Sequence, residues 1–450
     1  MESSSRSVTR SAASHGGGKR GPVSSAPSSS IHSLSADLLG FCFSRLDPSE
    51  LVRCAVVCKL WNKIIYSSTL MRDLYEKISL HGRSSSNLSV PVEASMKRYF
   101  EKLALEQHRL SFLGSSSEVH QWRGHSSRID LCRLRRGLIL SGAEDKVMRL
   151  WSAESCKCLK EYFNLNKDAM VDYDFDENKI VGLTGSQICI WTLVSGKGIF
   201  RSHEGIFSRG ICMGYIDPEA VVGCDDGRAH VFDMYSGRCT RIIRMHGAPV
   251  SCLALTEDQL VLGGSNFGTV TVADLSTGEQ LALLKSSFSN TGMKSLCFNS
   301  HSYLLYAGST AGYVHCWDLR TQRSLWETRV SPNVIYSMRH LVTDSSTLAV
   351  GGLDGVLRIL NQSTGEILSC FIMDPCTKLD GSSVSRSPLK IKMKGITIPA
   401  DTEIHRIPRD RRPPITCLGV GLRKIVTAHN EKYLRLWRFH HSLDGIVNNS

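Results

Sequence analysis

LILSGAEDKVMRLW, residues Leu138 to Trp151, sets the pattern for most of this chain. An apolar run, Leu138 to Leu140, meets Ser141-Gly142. A polar turn carrying Asp145 follows, and apolar and polar residues then alternate into Trp151. Such a run on either side of a short polar turn has the pattern of strand, tight turn, strand. Upstream stands Gly124-His125. Buried together, Ser141, Asp145, His125 and Trp151 can satisfy one another, each donor meeting an acceptor, with no reaction implied. The same elements return about every 40 residues as far as LRKIVTAHNEKYLRLW, Leu422 to Trp437, so the chain after residue 118 is built of repeats.

Aligning the repeats places Trp151, Trp191, Phe232, Ala273, Trp317, Leu360 and Trp437 in equivalent positions, which makes seven units. The turn keeps Asp at Asp145, Asp226 and Asp354 and Asn at Asn266 and Asn430, while His203 and His246 match His125 without its Gly. These residues resemble the WD-repeat signature, whose second letter stands here at Asp233, Asp274 and Asp318. The resemblance implies a mainly β fold, a seven-bladed propeller over residues 118–440. The last unit ends soon after Phe439 without an outer strand, and Glu118 to Trp122 has strand character ahead of the first full unit. That early segment is expected to complete the last blade and cover its open edge. An insertion at 374–413 separates the sixth and seventh units; it holds Ser- and Pro-rich pieces and the alternating LKIKMKGITI, Leu389 to Ile398. Disorder with one extra hairpin is the expectation, and a partner-docking or phosphorylation-controlled arm the alternative.

Hydrophobic residues make up 42% of the 450 and charged residues 21%, which suffices for a substantial core. The net charge of +12 admits acidic partners, nucleic acid or phosphorylated protein, and equally a solvated basic surface. Of the 16 cysteines, many, such as Cys189, Cys252, Cys316 and Cys417, lie in apolar runs and read as small buried hydrophobes. No paired cysteine spacing suggests zinc and no secretory signal suggests an oxidising compartment, so reduced thiols and no cofactor are expected. No run reaches the 18 apolar residues of a membrane span.

Residues 1–30 are Ser-rich, carry Gly16 to Gly18 and have almost no large apolar side chain; disorder is expected, with an organelle transit peptide as the alternative. From 31 to 75 the period is helical: Leu34, Leu38, Cys42 and Leu46 form one stripe, widened by Leu39 and Phe43. Asp47-Pro48-Ser49-Glu50 is a strong helix start, with a cap, a proline in the first turn and an acid three residues after the cap. Residues 76–117 read as a loop followed by a helix over 93–110 that joins this block to the repeats, and 441–450 as a tail.

The order of the helical block, with Asp-Pro-x-Glu-Leu and then Val56-Val57-Cys58-Lys59-Leu60-Trp61, resembles the F-box, departing from its usual Leu-Pro at Leu34-Ser35. Together the two resemblances identify the chain as a plant-type member of the F-box/WD-repeat proteins, the substrate receptors of SCF-type ubiquitin ligases. They imply no catalysis, a small all-α domain docking a Skp-family adaptor and through it a cullin-based ligase, and a propeller holding a protein substrate, in some relatives a phosphorylated one. Adaptor docking is assigned by the resemblance to Leu34, Leu38, Leu39, Phe43, Leu46, Pro48, Leu51, Val57 and Trp61. The residues nearest the starts of the inner strands, Arg128, Arg209, Lys294 and Tyr336, are the candidates for substrate contact, an arginine fork suiting phosphate. No Walker loop, HExxH or other catalytic set stands out. The competing class is a WD-repeat scaffold outside any ligase, or a basic propeller on RNA or chromatin. Cytoplasm and nucleus both fit.

Overall fold

The computed structural model describes residues 31, 34–46, 48–66, 96–114, 116–163, 170–203, 205–287, 291–374 and 390–440. The expected tails at 1–30 and 441–450 and the loop that follows the helical block lie outside them. The chain divides into two compact units, 1–80 and 81–450.

The first unit holds three short helices, α1 (Ala36–Phe43), α2 (Pro48–Ala55) and α3 (Lys59–Ile65). Ser35 explains the departure from Leu-Pro: its hydroxyl oxygen accepts the Leu38 N–H at 3.4 Å, so a side-chain cap starts α1. Cys58 plays the same part for α3, its sulfur facing the Trp61 N–H at 3.5 Å. Leu39, Phe43, Leu51, Ala55 and Ile65 are buried together, and the Phe43 and Trp61 rings meet edge to face with centroids 5.3 Å apart. Asn62 adds a hydrogen bond from α3 to α2, its Nδ2 donating to the Ala55 carbonyl at 3.1 Å, so this small apolar core is reinforced by one polar tie.

The second unit is a propeller. Six blades are four-stranded and antiparallel in chain order, over 129–163, 172–201, 210–244, 250–285, 293–329 and 335–374. The seventh is assembled from both ends of the repeat region. Cys417–Gly421, Lys424–Ala428 and Tyr433–Phe439 supply three strands, and Ser116–Arg123 supplies the outer one, with Val119 opposite Trp437. An early segment thus covers the late open edge, as the sequence led one to expect. Apolar clusters fill all seven interfaces between neighbouring blades, from Trp122, Leu434 and Trp151 between blades 7 and 1 to Phe371, Met373 and Trp437 between blades 6 and 7. The second strand of each blade is therefore buried on both faces, whereas the outer strands of blades 1 and 3 are largely exposed.

The insertion departs from expectation. Residues 390–398 form a single strand, not a hairpin, and it pairs antiparallel on both sides: Ile396 faces Ile372 of blade 6, and Met393 faces Val119 of blade 7. Blades 6 and 7 become one nine-stranded sheet. Residues 375–389 lie outside the described residues, while 399–412 return along blade 6, where Arg412 donates to the Asp354 carbonyl at 3.1 Å. The helix expected as a connection, observed at Met96–Phe112 and labelled α4, belongs to the propeller unit. Its Phe112 ring lies 4.8 Å from that of Phe439, Ser369 donates to the Phe112 carbonyl, and buried His108 accepts the Arg423 N–H at 2.9 Å. Its last turns are thereby fastened to blades 6 and 7.

Candidate functional site

The first question is whether the repeat residues form a reaction centre. In blade 1, Trp151 Nε1 donates to Ser141 Oγ at 2.8 Å, Ser141 Oγ lies 2.8 Å from His125 Nε2, and His125 Nδ1 faces Asp145 at 3.0 Å. That is a serine–imidazole–carboxylate order. Burial pushes the imidazole below its usual range against the pull of Asp145; the Asp145 carboxyl, which burial would raise, is held at about 2 by His125, the Ser126 N–H and Arg149. Yet Ser141 is fully buried and already occupied by the indole, so no substrate carbonyl can reach it. The set ties strand to strand inside the blade and catalyses nothing. Among the described residues no group of acidic, His and Cys side chains is placed to hold a metal, and no helix is long and apolar enough to cross a membrane.

The four substrate candidates lie on one face, where each chain segment enters its inner strand, and all are exposed. Arg128 and Arg209 hold the same place in blades 1 and 3: their carbonyls accept from Glu144 N–H at 3.2 Å and Asp225 N–H at 3.1 Å. Lys294 and Tyr336 lie deeper, each on a bulge that breaks the pairing of the inner strand of blades 5 and 6. The same bulge recurs at Asp130, Ile211 and Ser251, which sequence reasoning missed, so five of the seven inner strands carry one, while those of blades 2 and 7 pair without it. The signal was available as the second residue of each inner strand, although only pairing registers identify it. The face is mixed in charge: Asp130 and Glu144 flank Arg128, and Asp225 follows in the turn beside Arg209.

At the opposite end of the channel a cavity of about 300 Å³ is walled by all seven inner strands. One level of that wall consists of Arg133, Asp174, Gly214, Ala254, Cys297, Arg339 and Gly419, none of which the sequence singled out.

In the helical unit the nine adaptor candidates separate into two groups. Leu39, Phe43 and Leu51 are buried and form the core, and Trp61 is half-buried against Phe43; these hold the unit together and offer little surface. Leu34, Leu38 and Val57 are 37%, 54% and 60% exposed, and Leu46 is half-buried. The Pro48 side chain lies outside the described residues. Phe41, Val56 and Leu60, 60%, 82% and 45% exposed, join the exposed set, though the helical period alone did not pick them out. A cluster of large apolar side chains left in water on so small a unit marks a surface for a partner.

Comparison with known proteins agrees with both halves. The F-box-like family matches residues 37–77, and the WD domain, G-beta repeat, matches residues 278–318, the unit that ends in Trp317-Asp318. An F-box/WD-40 repeat-containing protein of Arabidopsis thaliana is 43% identical over 432 residues, covering 91% of this chain and 95% of its own. The human F-box/WD repeat-containing protein 2 is 25% identical over 135 residues, 30% of this chain and 28% of its own. Cell division control protein 4 of Saccharomyces cerevisiae is 24% identical over 236 residues, 48% of this chain and 24% of its own.

Proposed function

The chain belongs to the F-box/WD-40 repeat proteins, and from that premise we propose that it is the substrate-receiving subunit of an SCF-type ubiquitin ligase. The helical unit docks a Skp-family adaptor, the adaptor ties the chain to a cullin scaffold, and the propeller holds the protein to be modified. Ubiquitin transfer is then a matter of proximity, which needs no reacting group on this chain. The observation that carries this reading is the helical unit itself: its core closes without Leu38, Phe41, Val56, Val57 and Leu60, which stand in water beside it. Apolar residues that fold nothing have a partner to meet. On the propeller, Arg128, Arg209, Lys294 and Tyr336 with the bulge residues between them are the substrate contacts, and the mixed charge of that face suits a protein segment, phosphorylated or not, better than a polyanion.

Co-purification of the full chain with a Skp-family adaptor tests the docking half. Leu38→Arg with Val57→Arg should weaken adaptor binding on the order of 100-fold or more, as charge replaces central apolar contacts, and leave the melting of the chain unchanged. Leu51→Ala serves as the contrast, losing binding only as the helices unfold. Unchanged binding by the surface variant sinks the assignment. An intact, folded chain that binds no adaptor moves the function to a scaffold outside the ligase.

A further inference from the structure

The face that carries Arg128 and Arg209 has a second sector of different character, and the hairpin turn of blade 4 introduces it. A residue of positive φ closes this turn in blades 1, 3, 4 and 6, at Lys146, Gly227, Gly268 and Gly355, and the residues just before are Asp145, Asp226, Phe267 and Asp354. Phe267, not Asn266, therefore stands in the place of the hairpin Asp. The turn makes no use of its ring: Ser265 Oγ accepts the N–H groups of Phe267 at 3.2 Å and Thr269 at 3.4 Å, and the Phe267 side chain is left 66% exposed. A Cβ on Gly292 would meet the Asn266 carbonyl at 2.9 Å, and Ser251 donates to the Met293 carbonyl at 2.6 Å, so blade 4 abuts the segment of blade 5 that leads to Lys294. On blade 6 the Leu353 N–H donates to the Val334 carbonyl at 3.0 Å, two residues ahead of Tyr336; Leu353 is 42% and Tyr336 38% exposed.

Phe267, Tyr336 and Leu353 thus rim blades 4 to 6, with Lys294 between them. Among the described residues, the entry segments, turns and bulges of these blades expose one charge, Lys294, because Asp354 is sealed by Arg358. Lys285 and Arg329 end the outer strands of blades 4 and 5 on the same face. The other half of the face is crowded with acid: Asp130, Glu144, Asp225 and Asp226 are all exposed. Partial burial and neighbouring Glu144 raise the Asp130 carboxyl against the pull of Arg128, as happens where negative charge is in excess.

We propose that the arc of Phe267, Lys294, Tyr336 and Leu353 is the anchoring surface of the propeller, and that it takes an unmodified acidic and apolar segment of a protein. A large apolar side chain of that segment lies against Phe267 or between Tyr336 and Leu353, and an Asp or Glu beside it meets Lys294. This rests on the substrate-receiving role and names the class of substrate. Apolar side chains that hold no part of the fold supply the contact area. A single ammonium matches a carboxylate, whereas a phosphate dianion calls for several donors, and the arginines that would add them stand among carboxylates.

The probe is a display library of random short peptides selected on the immobilised full chain. Recovered peptides should pair Phe, Tyr, Trp, Leu or Met with a nearby Asp or Glu. By fluorescence anisotropy, Phe267→Ser with Tyr336→Ser should weaken a recovered peptide about ten-fold or more, with unchanged melting. Lys294→Glu should do the same and, in a fresh selection, exchange the acidic residue for Lys or Arg. Leu281→Ser with Leu283→Ser, also apolar and exposed but on the outer strand of blade 4, should leave binding within about two-fold. Phosphoserine in place of the acidic residue should bring no gain. Recovered peptides without the pairing, binding indifferent to both arc variants, or a gain of about ten-fold or more from phosphoserine overturns the proposal. The wild-type selection decides the class of peptide even where a variant fails to fold. Adaptor co-purification on the same preparations keeps the two readings apart. A chain that binds adaptor but no such peptide overturns the arc alone; one that binds the peptides without adaptor upholds the arc and overturns the ligase role.

Discussion

Blades 1 and 6 have the same four strands and the same hairpin Asp, yet they are held by different chemistry. In blade 1 a chain of hydrogen bonds runs from Trp151 through Ser141 to His125 and ends on the Asp145 carboxylate, which also takes Arg149 at 3.0 Å. In blade 6 Val350 stands where Ser141 does and Leu360 where Trp151 does. Asp354 there accepts from Ser331 at 2.8 Å and pairs with Arg358 at 2.6 Å, both members of the ion pair being almost wholly buried. The shared feature is an acid at the turn with an arginine four residues on, repeated as Glu431 and Arg435 in blade 7. What a blade requires, then, is a partner for the buried carboxylate and apolar filling beside it. The His–Ser–Trp chain is one way to provide that, and packing alone is another.

The largest expected effect comes from removing the carboxylate of blade 6. Asp354→Ala leaves the Arg358 guanidinium, 3% exposed, without its counter-charge, which costs about 3–5 kcal/mol in a chemical unfolding experiment. Asp145→Ala should cost clearly less, because Arg149 keeps Glu161 at 2.7 Å and is itself part-exposed. Equal losses for the two variants would break the contrast between a sealed ion pair and a shared one.

A smaller effect is expected at Ser141. Its hydroxyl serves the indole and the imidazole together, so Ser141→Ala strands two buried polar atoms and should cost about 1–3 kcal/mol, while Val350→Ala in blade 6 should cost a similar amount through lost apolar contact alone. The two are told apart by Ser141→Ala in a Trp151→Phe background, where no indole N–H remains to be stranded. The serine should then matter distinctly less. A cost unchanged by the background would show that the polar chain contributes nothing of its own.

Much of this was legible in the sequence because it is local. Turn residues lie within a few positions of the strands they join, so Trp151, Trp191, Trp317 and Trp437 located their blades, and the strand at 116–123 betrayed itself by the missing outer strand of the last unit. Strand 390–398 was only half legible: alternation announced a strand, but nothing local told that two blades, one begun at residue 335 and one completed from residue 116, both offer it an edge. The docking of His108 on Arg423, the bulges at the channel mouth and the bond of His340 to the Phe298 carbonyl depend on which strands become neighbours, and that is decided by closure of the ring. In the helical unit the apolar stripe was read correctly as apolar; which side faced inward needed the packing of all three helices, since Leu38 and Leu39 are adjacent in sequence and opposite in burial.

The smallest effect is the most selective. Blade 1 has a titratable imidazole in its polar anchor and blade 6 has none. Burial depresses the folded-state proton affinity of His125, with Asp145 only partly opposing it, so the unfolded chain, whose histidine titrates near pH ~6.5, binds the proton first on acidification. The contribution of neutral His125 is therefore complete above that pH and is lost progressively as the pH falls from there through the depressed folded value. Amide hydrogen exchange at pH 7 and pH 5.5, corrected for the intrinsic rates, should show the Ser141 to Trp151 hairpin losing protection while the Val350 to Leu360 hairpin holds. Buried His108, lowered to about 4, and His429 titrate in the same direction elsewhere in the ring and would weaken both hairpins through global opening. The decisive quantity is consequently the difference between the wild type and His125→Gln, which keeps the polarity of the position but cannot take up the proton. If the variant loses blade 1 protection with pH as steeply as the wild type, the imidazole is not the source, and the two blades differ in bonding pattern but not in their response to acid.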